Sequence, residues 1–160
     1  MDVTEAFLDK SRSLIMSGYL PKIERSVERL TEEDVWWRPN DASNSIGNLL
    51  LHLHGNVTQW ILGGVGGKEH LRDRQQEFDE RTHIAVRELL EKLRSVVEEA
   101  DEIIRGLDDA ALLSRRQIQK YDVTVLEAVY HVVEHFGMHT GQIILLAKAR
   151  TGEDLKLWRQ

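Results

Sequence analysis

The sequence contains no cysteine, only two prolines and few runs of β-branched residues. The absence of cysteine excludes disulfide bonds, thiolate metal ligands and cysteine nucleophiles. The scarcity of proline and of β-branched runs favours helices over strands. A chain of 160 residues buries roughly 68–70% of the surface that its unfolded form exposes. We therefore expect any bound metal ion to serve function rather than to hold the fold together.

The chain also lacks a basic excess and a secretion signal. Its formal net charge is −6 and it has no long basic run, so no nucleic-acid partner is expected. The N-terminal residues 1–5 are acidic and lack the basic flank and apolar centre of a signal peptide. Residues 42–67 carry no charge over a length that could span a bilayer, but their polar residues are too many for lipid. We expect a buried helix there, no membrane partner and a cytoplasmic location.

Hydrophobic periodicity predicts four long helices. We place them at residues 4–30, 46–62, 79–105 and 124–150, with a kink or short break at Pro21. The densely charged residues 68–80 are predicted as a loop or frayed helix. No linker or repeat divides the chain. The sequence therefore predicts an all-α fold, a four-helix bundle, in a single domain over residues 1–160.

Helix boundaries are indicated by short capping patterns. The patterns beginning at Thr31 and at Thr124 resemble capping boxes, and Ser43 or Ser45 can cap the second helix. Gly152 fits the position just beyond the end of the fourth helix.

The fourth helix carries three histidines spaced four residues apart, His131, His135 and His139. Residues at this spacing share one helix face, and each step rises about 6 Å. The outer two are thus about 12 Å apart, too far for one ion with metal–nitrogen bonds of about 2.0–2.1 Å. The pair is either the first two or the last two; the uncharged residues 136–147 indicate that the last two lie in the more buried half.

The second helix supplies the candidate third ligand, His52 or His54. The two side chains point about 160° apart, so only one can reach the site. His52 shares a stripe with Asn48, Asn56 and Gln59, which are polar but uncharged, and such a stripe is typical of a polar interior. His54 lies slightly closer to the apolar arc. The stripe favours His52, but periodicity leaves both open.

A hydrogen-bonded network of buried histidines is the alternative to a metal site. Each buried imidazole needs partners for both of its nitrogens. Five histidines in two largely apolar segments are difficult to satisfy in that way, which favours a metal site.

The segments Ser45-Ile-Gly-Asn-Leu-Leu-Leu-His52-Leu-His-Gly-Asn56 and His131-Val-Val-Glu-His135-Phe-Gly-Met-His139-Thr-Gly-Gln142 resemble the DinB/YfiT-like superfamily of metal-binding four-helix bundles. The Trp36-Trp-Arg-Pro39 segment is similar as well, and the resemblance covers nearly the whole chain. It implies three histidine ligands, which match His52, His135 and His139. His54 and His131 are left over. The superfamily often has arginine where Thr140 stands, so any role of that arginine is absent or moved.

Three neutral imidazoles leave a divalent ion with open positions, as in a catalytic site. We expect Zn²⁺ first and Ni²⁺ second. The resemblance implies a metal-dependent hydrolase or a transferase that uses a small thiol as substrate. The alternative is a metal-binding or stress-associated bundle without turnover. An activity that requires the three histidines would separate these classes.

Several further residues are weaker candidates. Glu134 is a candidate general base, although its side chain points about 100° away from that of His135. The alternatives are a hydrogen-bond partner of an imidazole or a surface charge. Asn56 is a candidate for orienting substrate or water, or else a structural hydrogen-bond donor, and Gln142 is equally ambiguous. Arg72 or Arg74 could face an anionic substrate, but a solvated charged loop is favoured.

Two other patterns concern metal chemistry and assembly. Glu80 and His83 match the ligand spacing of di-iron bundles, but only one copy of that motif is present. The tryptophans Trp36, Trp37 and Trp158 are predicted to lie in the core or on a homodimer face, and the family resemblance favours a homodimer.

Overall fold

The computed structural model describes residues 2–158. The first long helix comprises α1 (Val3–Ser13), a π-helical segment (Leu14–Tyr19) and α2 (Leu20–Val27). The predicted irregularity is therefore present, but it lies just upstream of Pro21 and not at it. The wider π turn is closed by a bond from the Leu20 N–H to the carbonyl of Ile15. The short helix α3 (Glu32–Trp36) follows and begins at the predicted capping box of Thr31 and Asp34.

The second long helix is α4 (Ile46–Val57), continued by a π-helical segment (Thr58–Val65). Ser45 caps it in a reciprocal capping box with Asn48, which decides between the two predicted serines. The chain then forms the short helix α5 (Arg74–Asp79) before the third long helix, α6 (Val86–Arg105).

The predicted start of the third helix at Asp79 is wrong by seven residues. The Glu80 carboxylate accepts hydrogen bonds from the N–H groups of Arg81 and Thr82, which replaces helical bonds with a local turn. His83 then adopts a left-handed backbone conformation with φ of 56°. These two features keep α5 and α6 apart, so α5 can lie across the second helix.

Between α6 and the last helix lie α7 (Asp109–Leu113) and a hairpin of β1 (Arg115–Ile118) and β2 (Tyr121–Thr124). The antiparallel strands pair Arg115 with Thr124 and Ile118 with Tyr121. The fourth long helix, α8 (Val125–Thr151), begins at the predicted capping box of Thr124 and ends at Gly152, whose φ is 72°.

The four long helices pack around one hydrophobic core, with α4 against both α6 and α8 and α2 against α8. The predicted all-α four-helix bundle is confirmed, with the hairpin as an unpredicted addition. Trp36 packs against Gly47, where a Cβ would lie 2.8 Å from the indole ring. Trp36 is therefore core, while Trp37 is half-buried under the Arg150 guanidinium and Trp158 is exposed.

Candidate metal centre

Three imidazoles from two helices meet inside the bundle. His52 lies on α4, and His135 and His139 lie one turn apart on α8. One nitrogen from each ring lies within 4.8 Å of the other two. The ring centroids are 4.4 to 5.1 Å apart. Both His52 and His139 are buried, and His135 is half-buried. The structure thus brings together the three histidines that the family resemblance singles out.

The outer hydrogen bonds of two rings define which nitrogen faces the cluster. His52 Nδ1 lies 2.8 Å from the carboxylate oxygen Oε2 of Glu77. His139 Nδ1 lies 2.6 Å from the amide oxygen Oε1 of Gln142. Because both partners are oxygen acceptors, both Nδ1 atoms carry the proton, and each Nε2 presents a lone pair.

The inward nitrogens fit a shared cation. His139 Nε2 is buried and has no hydrogen-bond partner among residues 2–158. His52 Nε2 and His135 Nε2 are 2.9 Å apart. Two nitrogens bound to one ion at about 2.0–2.1 Å, at bond angles of about 90–109°, lie about 2.9–3.4 Å from each other. The donor set and its orphaned nitrogen are therefore compatible with a divalent ion.

The environment of His135 and His139 favours their neutral forms. Burial, together with the smaller effects of the nearby His139 and His52, lowers the pKa of His135 to about 3. Burial also lowers the pKa of His139, against the opposing effect of its hydrogen bond with Gln142. Neutral imidazole is the form that binds metal ions, so protons compete weakly for the nitrogens of His135 and His139 at neutral pH.

A buried ion pair from the charged connecting segment covers the cluster. Arg72 Nε lies 2.6 Å from Glu77 Oε1, and Arg72 Nη2 lies 2.9 Å from Glu77 Oε2. Burial raises the pKa of Glu77, but hydrogen bonds from Arg72 and His52 more than offset this, so that the net pKa is lowered. Phe78 of α5 lies against the His52 ring, with centroids 4.7 Å apart.

Sequence reasoning missed Glu77 and assigned Arg72 to a solvated loop. Neither residue carries a local signal, because each stands among many charged neighbours in residues 68–80. The uncharged polar stripe of α4 was the available clue. Asn48 of that stripe donates to the backbone carbonyls of Glu77 and Glu80. The stripe therefore faces the α5 segment as well as α8.

The leftover histidines lie outside the cluster. His54 is half-buried, and its pKa is lowered by burial and by the charge of Lys92 on α6. His131 is half-buried, with its ring 4.1 Å from the Trp60 ring by centroid. Burial lowers the pKa of His131, while the charge of Glu134 opposes that shift.

The two catalytic candidates have different positions. Glu134 is exposed, and its charge raises the pKa of His131 but is not among the causes of the pKa shifts of His135 and His139. Asn56 is buried, and its Nδ2 lies 3.2 Å from His131 Nε2. Asn56 therefore contacts a neighbour of the cluster. Neither residue is in direct hydrogen-bond contact with His135 or His139 in the described part of the chain.

The two remaining sequence candidates, the Glu80–His83 pattern and Arg74, supply no ligand to the three-histidine cluster. His83 is exposed and stacks on Trp36 with ring centroids 5.8 Å apart, so the Glu80–His83 pattern does not contribute to the three-histidine cluster. Arg74 is exposed, with its guanidinium 5.0 Å from the Phe78 ring centroid, and its charge lowers the pKa of His139.

Comparison with known proteins identifies the family. The profile of a protein family of unknown function, DUF1572, matches residues 2–158. A DinB-like protein from Bacillus cereus ATCC 10987 superposes with a TM-score of 0.71 at 16% identity, covering 94% of each chain. A conserved protein from Enterococcus faecalis superposes with a TM-score of 0.72 at 14% identity, covering 96% of this chain and 99% of that one.

No curated protein matches the sequence. Within residues 2–158, no helix is both long and apolar enough to cross a membrane. The profile match and the superpositions confirm the predicted resemblance, and the chain belongs to the DUF1572 family, with the fold of the DinB-like helical bundles.

Proposed function

We propose that His52, His135 and His139 bind one divalent metal ion and that this ion is the centre of an enzyme active site. The observation that carries the proposal is the buried Nε2 of His139, which lacks a hydrogen-bond partner among the described residues. An unsatisfied buried polar atom costs about 1–3 kcal/mol. A shared cation would bind this nitrogen and so remove that cost, and the 2.9 Å between His52 Nε2 and His135 Nε2 fits two ligands of one ion.

Zn²⁺ is the proposed ion, with Ni²⁺ second, because imidazole nitrogens suit both. Three protein ligands leave at least one coordination position for water or substrate. A divalent ion held there lowers the pKa of bound water, polarises a carbonyl group, or stabilises a small thiol as its thiolate. The proposed reaction is either hydrolysis or the transfer of a low-molecular-weight thiol to an electrophilic acceptor. The proposed location of the protein is the cytoplasm.

The surroundings of the cluster favour S-transfer over hydrolysis. Glu77 is the carboxylate that contacts His52, and both of its oxygens already accept bonds from Arg72. Glu134 is exposed and outside the cluster. Among the described residues, neither carboxylate is placed to act as a general base. A thiol, with an ordinary pKa of about 8.5 against about 15.7 for water, would lose its proton to solvent at the metal with less need of such a base.

Elemental analysis of tag-free protein tests the metal site. We expect about one equivalent of zinc or nickel per chain in the wild type, loss of metal in His52→Ala and His139→Ala, and retention in His54→Ala. His54 is the matched control because it lies on the same helix as His52, two residues away, and outside the cluster. Wild-type protein that cannot be loaded at micromolar metal would contradict the proposal and favour a buried polar network.

Activity requiring the same histidines would separate an enzyme from a non-catalytic metal-binding bundle. Metal-loaded protein would be screened with small thiols and electrophilic acceptors, and with ester and amide substrates. Tight binding of a small thiol to the metal form alone favours the transferase. Turnover of esters or amides without thiol favours the hydrolase.

We further propose a homodimer through the outer face of α8. Leu126, Tyr130, Met138 and Leu145 are 36 to 67% exposed on that face, within an arc of about 120°. Gly141 lies between them, and a Cβ added there would meet nothing within 4 Å.

Charges on the same face support a second copy as the partner. Glu134 and Lys148 form no ion pair in the described part of the chain. Antiparallel packing of two α8 helices about a two-fold axis at Gly141 would place Glu134 of each copy near Lys148 of the other. The same packing would bury Met138 and Leu145.

A further inference from the structure

Arg72 and Glu77 form a buried ion pair beside His52. Their side chains are 5% and 11% exposed, although both come from the segment that connects the second and third long helices. Both guanidinium contacts, to Glu77 Oε1 and to Oε2, are shorter than 3.0 Å. This bidentate geometry is that of an ionised carboxylate, whose oxygens can only accept hydrogen bonds.

The shared oxygen of Glu77 defines the proton on His52. Glu77 Oε2 lies 2.8 Å from His52 Nδ1, and because a carboxylate cannot donate, the proton must be on Nδ1. Arg72 Nη2 also approaches Nδ1, at 3.2 Å, but its nearer acceptor is Glu77 Oε2 at 2.9 Å. The two nitrogens are therefore donors that share one acceptor, and the lone pair of His52 is on Nε2.

The ion pair is held against α4 by polar contacts. Arg72 Nη1 donates to Gln59 Oε1 at 2.7 Å, and Asn48 Nδ2 donates to the backbone carbonyl of Glu77 at 2.9 Å. Gly55 leaves the space that the pair occupies: a Cβ there would overlap Glu77 Oε1 and lie 2.7 Å from Arg72 Nε. The second long helix is thus shaped to receive the carboxylate next to His52.

We propose that Glu77, clamped by Arg72, is a positioning residue that fixes His52 as the Nδ1–H tautomer and aims its Nε2 at His135 and His139. Partners of this kind behind a metal-binding histidine typically contribute about 10–100-fold to metal affinity. The consequence for affinity rests on the proposed function, whereas the tautomer is a property of the metal-free chain.

The tautomer is measured by long-range ¹H–¹⁵N correlation spectroscopy on metal-free, ¹⁵N-labelled protein at neutral pH, with His52 assigned by comparison with His52→Ala. We expect the proton on Nδ1 in the wild type. In Glu77→Gln we expect a shift towards the Nε2–H form, because the single acceptor oxygen of the amide pairs with Arg72 and its NH₂ group then requires His52 Nδ1 as an acceptor. The matched control is Glu80→Gln, which removes the same charge from the same segment and should leave the His52 signals unchanged.

A wild-type His52 with its proton on Nε2 would overturn the inference, as would a Glu77→Gln variant with the wild-type tautomer. The wild-type tautomer is measured without the Glu77→Gln variant, so the test stands even if that variant does not fold. Circular dichroism of each metal-free variant establishes its helicity.

Zinc affinity, measured by competition with a chromophoric chelator, supplies the second readout. We expect Glu77→Gln to bind about 10–100-fold more weakly and Glu80→Gln to match the wild type. The absorption spectrum of the Co²⁺ form should change only in Glu77→Gln. Zinc affinity and Co²⁺ spectra unaltered in Glu77→Gln would refute the role in metal binding. Failure of wild-type protein to bind zinc would instead contradict the proposed function, while the tautomer measurement would still decide the positioning role.

Discussion

His139 and Gln142 are joined by a 2.6 Å hydrogen bond from ring Nδ1 to amide Oε1, within a single turn of α8. This contact directs the His139 Nε2 lone pair into the cluster. We predict that Gln142→Leu weakens zinc binding by about 10–100-fold, because the ring loses the partner that fixes its tautomer. Gln142→Glu keeps an acceptor oxygen and should retain most of the affinity. Equal zinc affinities for Gln142→Leu and wild type in a chelator competition would show that this contact does not orient the ring for metal.

Zinc should raise the thermal stability of the protein. A ligand at about 100 times its dissociation constant stabilises the folded state by about 2.7 kcal/mol, or roughly 5–10 °C in Tm for a chain of this size. Differential scanning fluorimetry with and without zinc measures the shift. It should vanish in His139→Ala, persist in His54→Ala and reverse with excess chelator. A shift of the same size in His139→Ala would place the zinc elsewhere.

The metal-free protein should lose stability in acid through His135. Its pKa is about 3 when folded, against an ordinary value of 6.5. Between these values the unfolded chain binds a proton that the folded chain does not, so the free energy of unfolding falls as the pH decreases from about 6.5 towards 3. Urea unfolding at several pH values measures the slope. His135→Gln should show a shallower slope, and an unchanged slope would assign the acid sensitivity to other groups.

The packing of Trp36 on Gly47 gives a test of the core. A methyl group at residue 47 would lie 2.8 to 2.9 Å from three carbons of the Trp36 indole. Because the ring is rigid, it can relieve these contacts only if the surrounding core repacks. Gly47→Ala should therefore destabilise the fold by about 1–3 kcal/mol despite the better helix propensity of alanine. Gly18→Ala is the control, since its Cβ would make only ordinary contacts at 3.7 Å or more. Chemical unfolding of both variants provides the comparison, and equal stabilities would refute the close packing.

The proposed α8 interface predicts a change in assembly state. Leu145→Glu buries a charge in the interface and should convert a dimer to a monomer, as measured by light scattering coupled to size-exclusion chromatography. Leu113→Glu is the control, because Leu113 is similarly exposed but lies on α7. A wild-type monomer at high protein concentration, or a dimer that survives Leu145→Glu, would exclude this face as the interface.

Short local sequence patterns predicted several of the helix boundaries. The capping boxes at Thr31 and Thr124 and the glycine after α8 depend on neighbouring residues, and each is present as predicted. The hairpin was not predicted, because its two-residue loop, Gln119-Lys120, has none of the glycine or asparagine that marks such turns. Gln119 nevertheless adopts a positive φ of 54° there.

The amino-acid sequence by itself determined the four helical stretches and the one-turn spacing of His135 and His139, since both follow from helical periodicity. Tertiary packing decided the rest of the cluster. It buried His52 and left His54 half-buried towards α6, a choice that depends on which face of α4 meets α8 and α5. It also selected Arg72 and Glu77 from a run of similar charges, because burial of an ion pair requires partners distant in sequence, here Gln59, Asn48 and the space above Gly55.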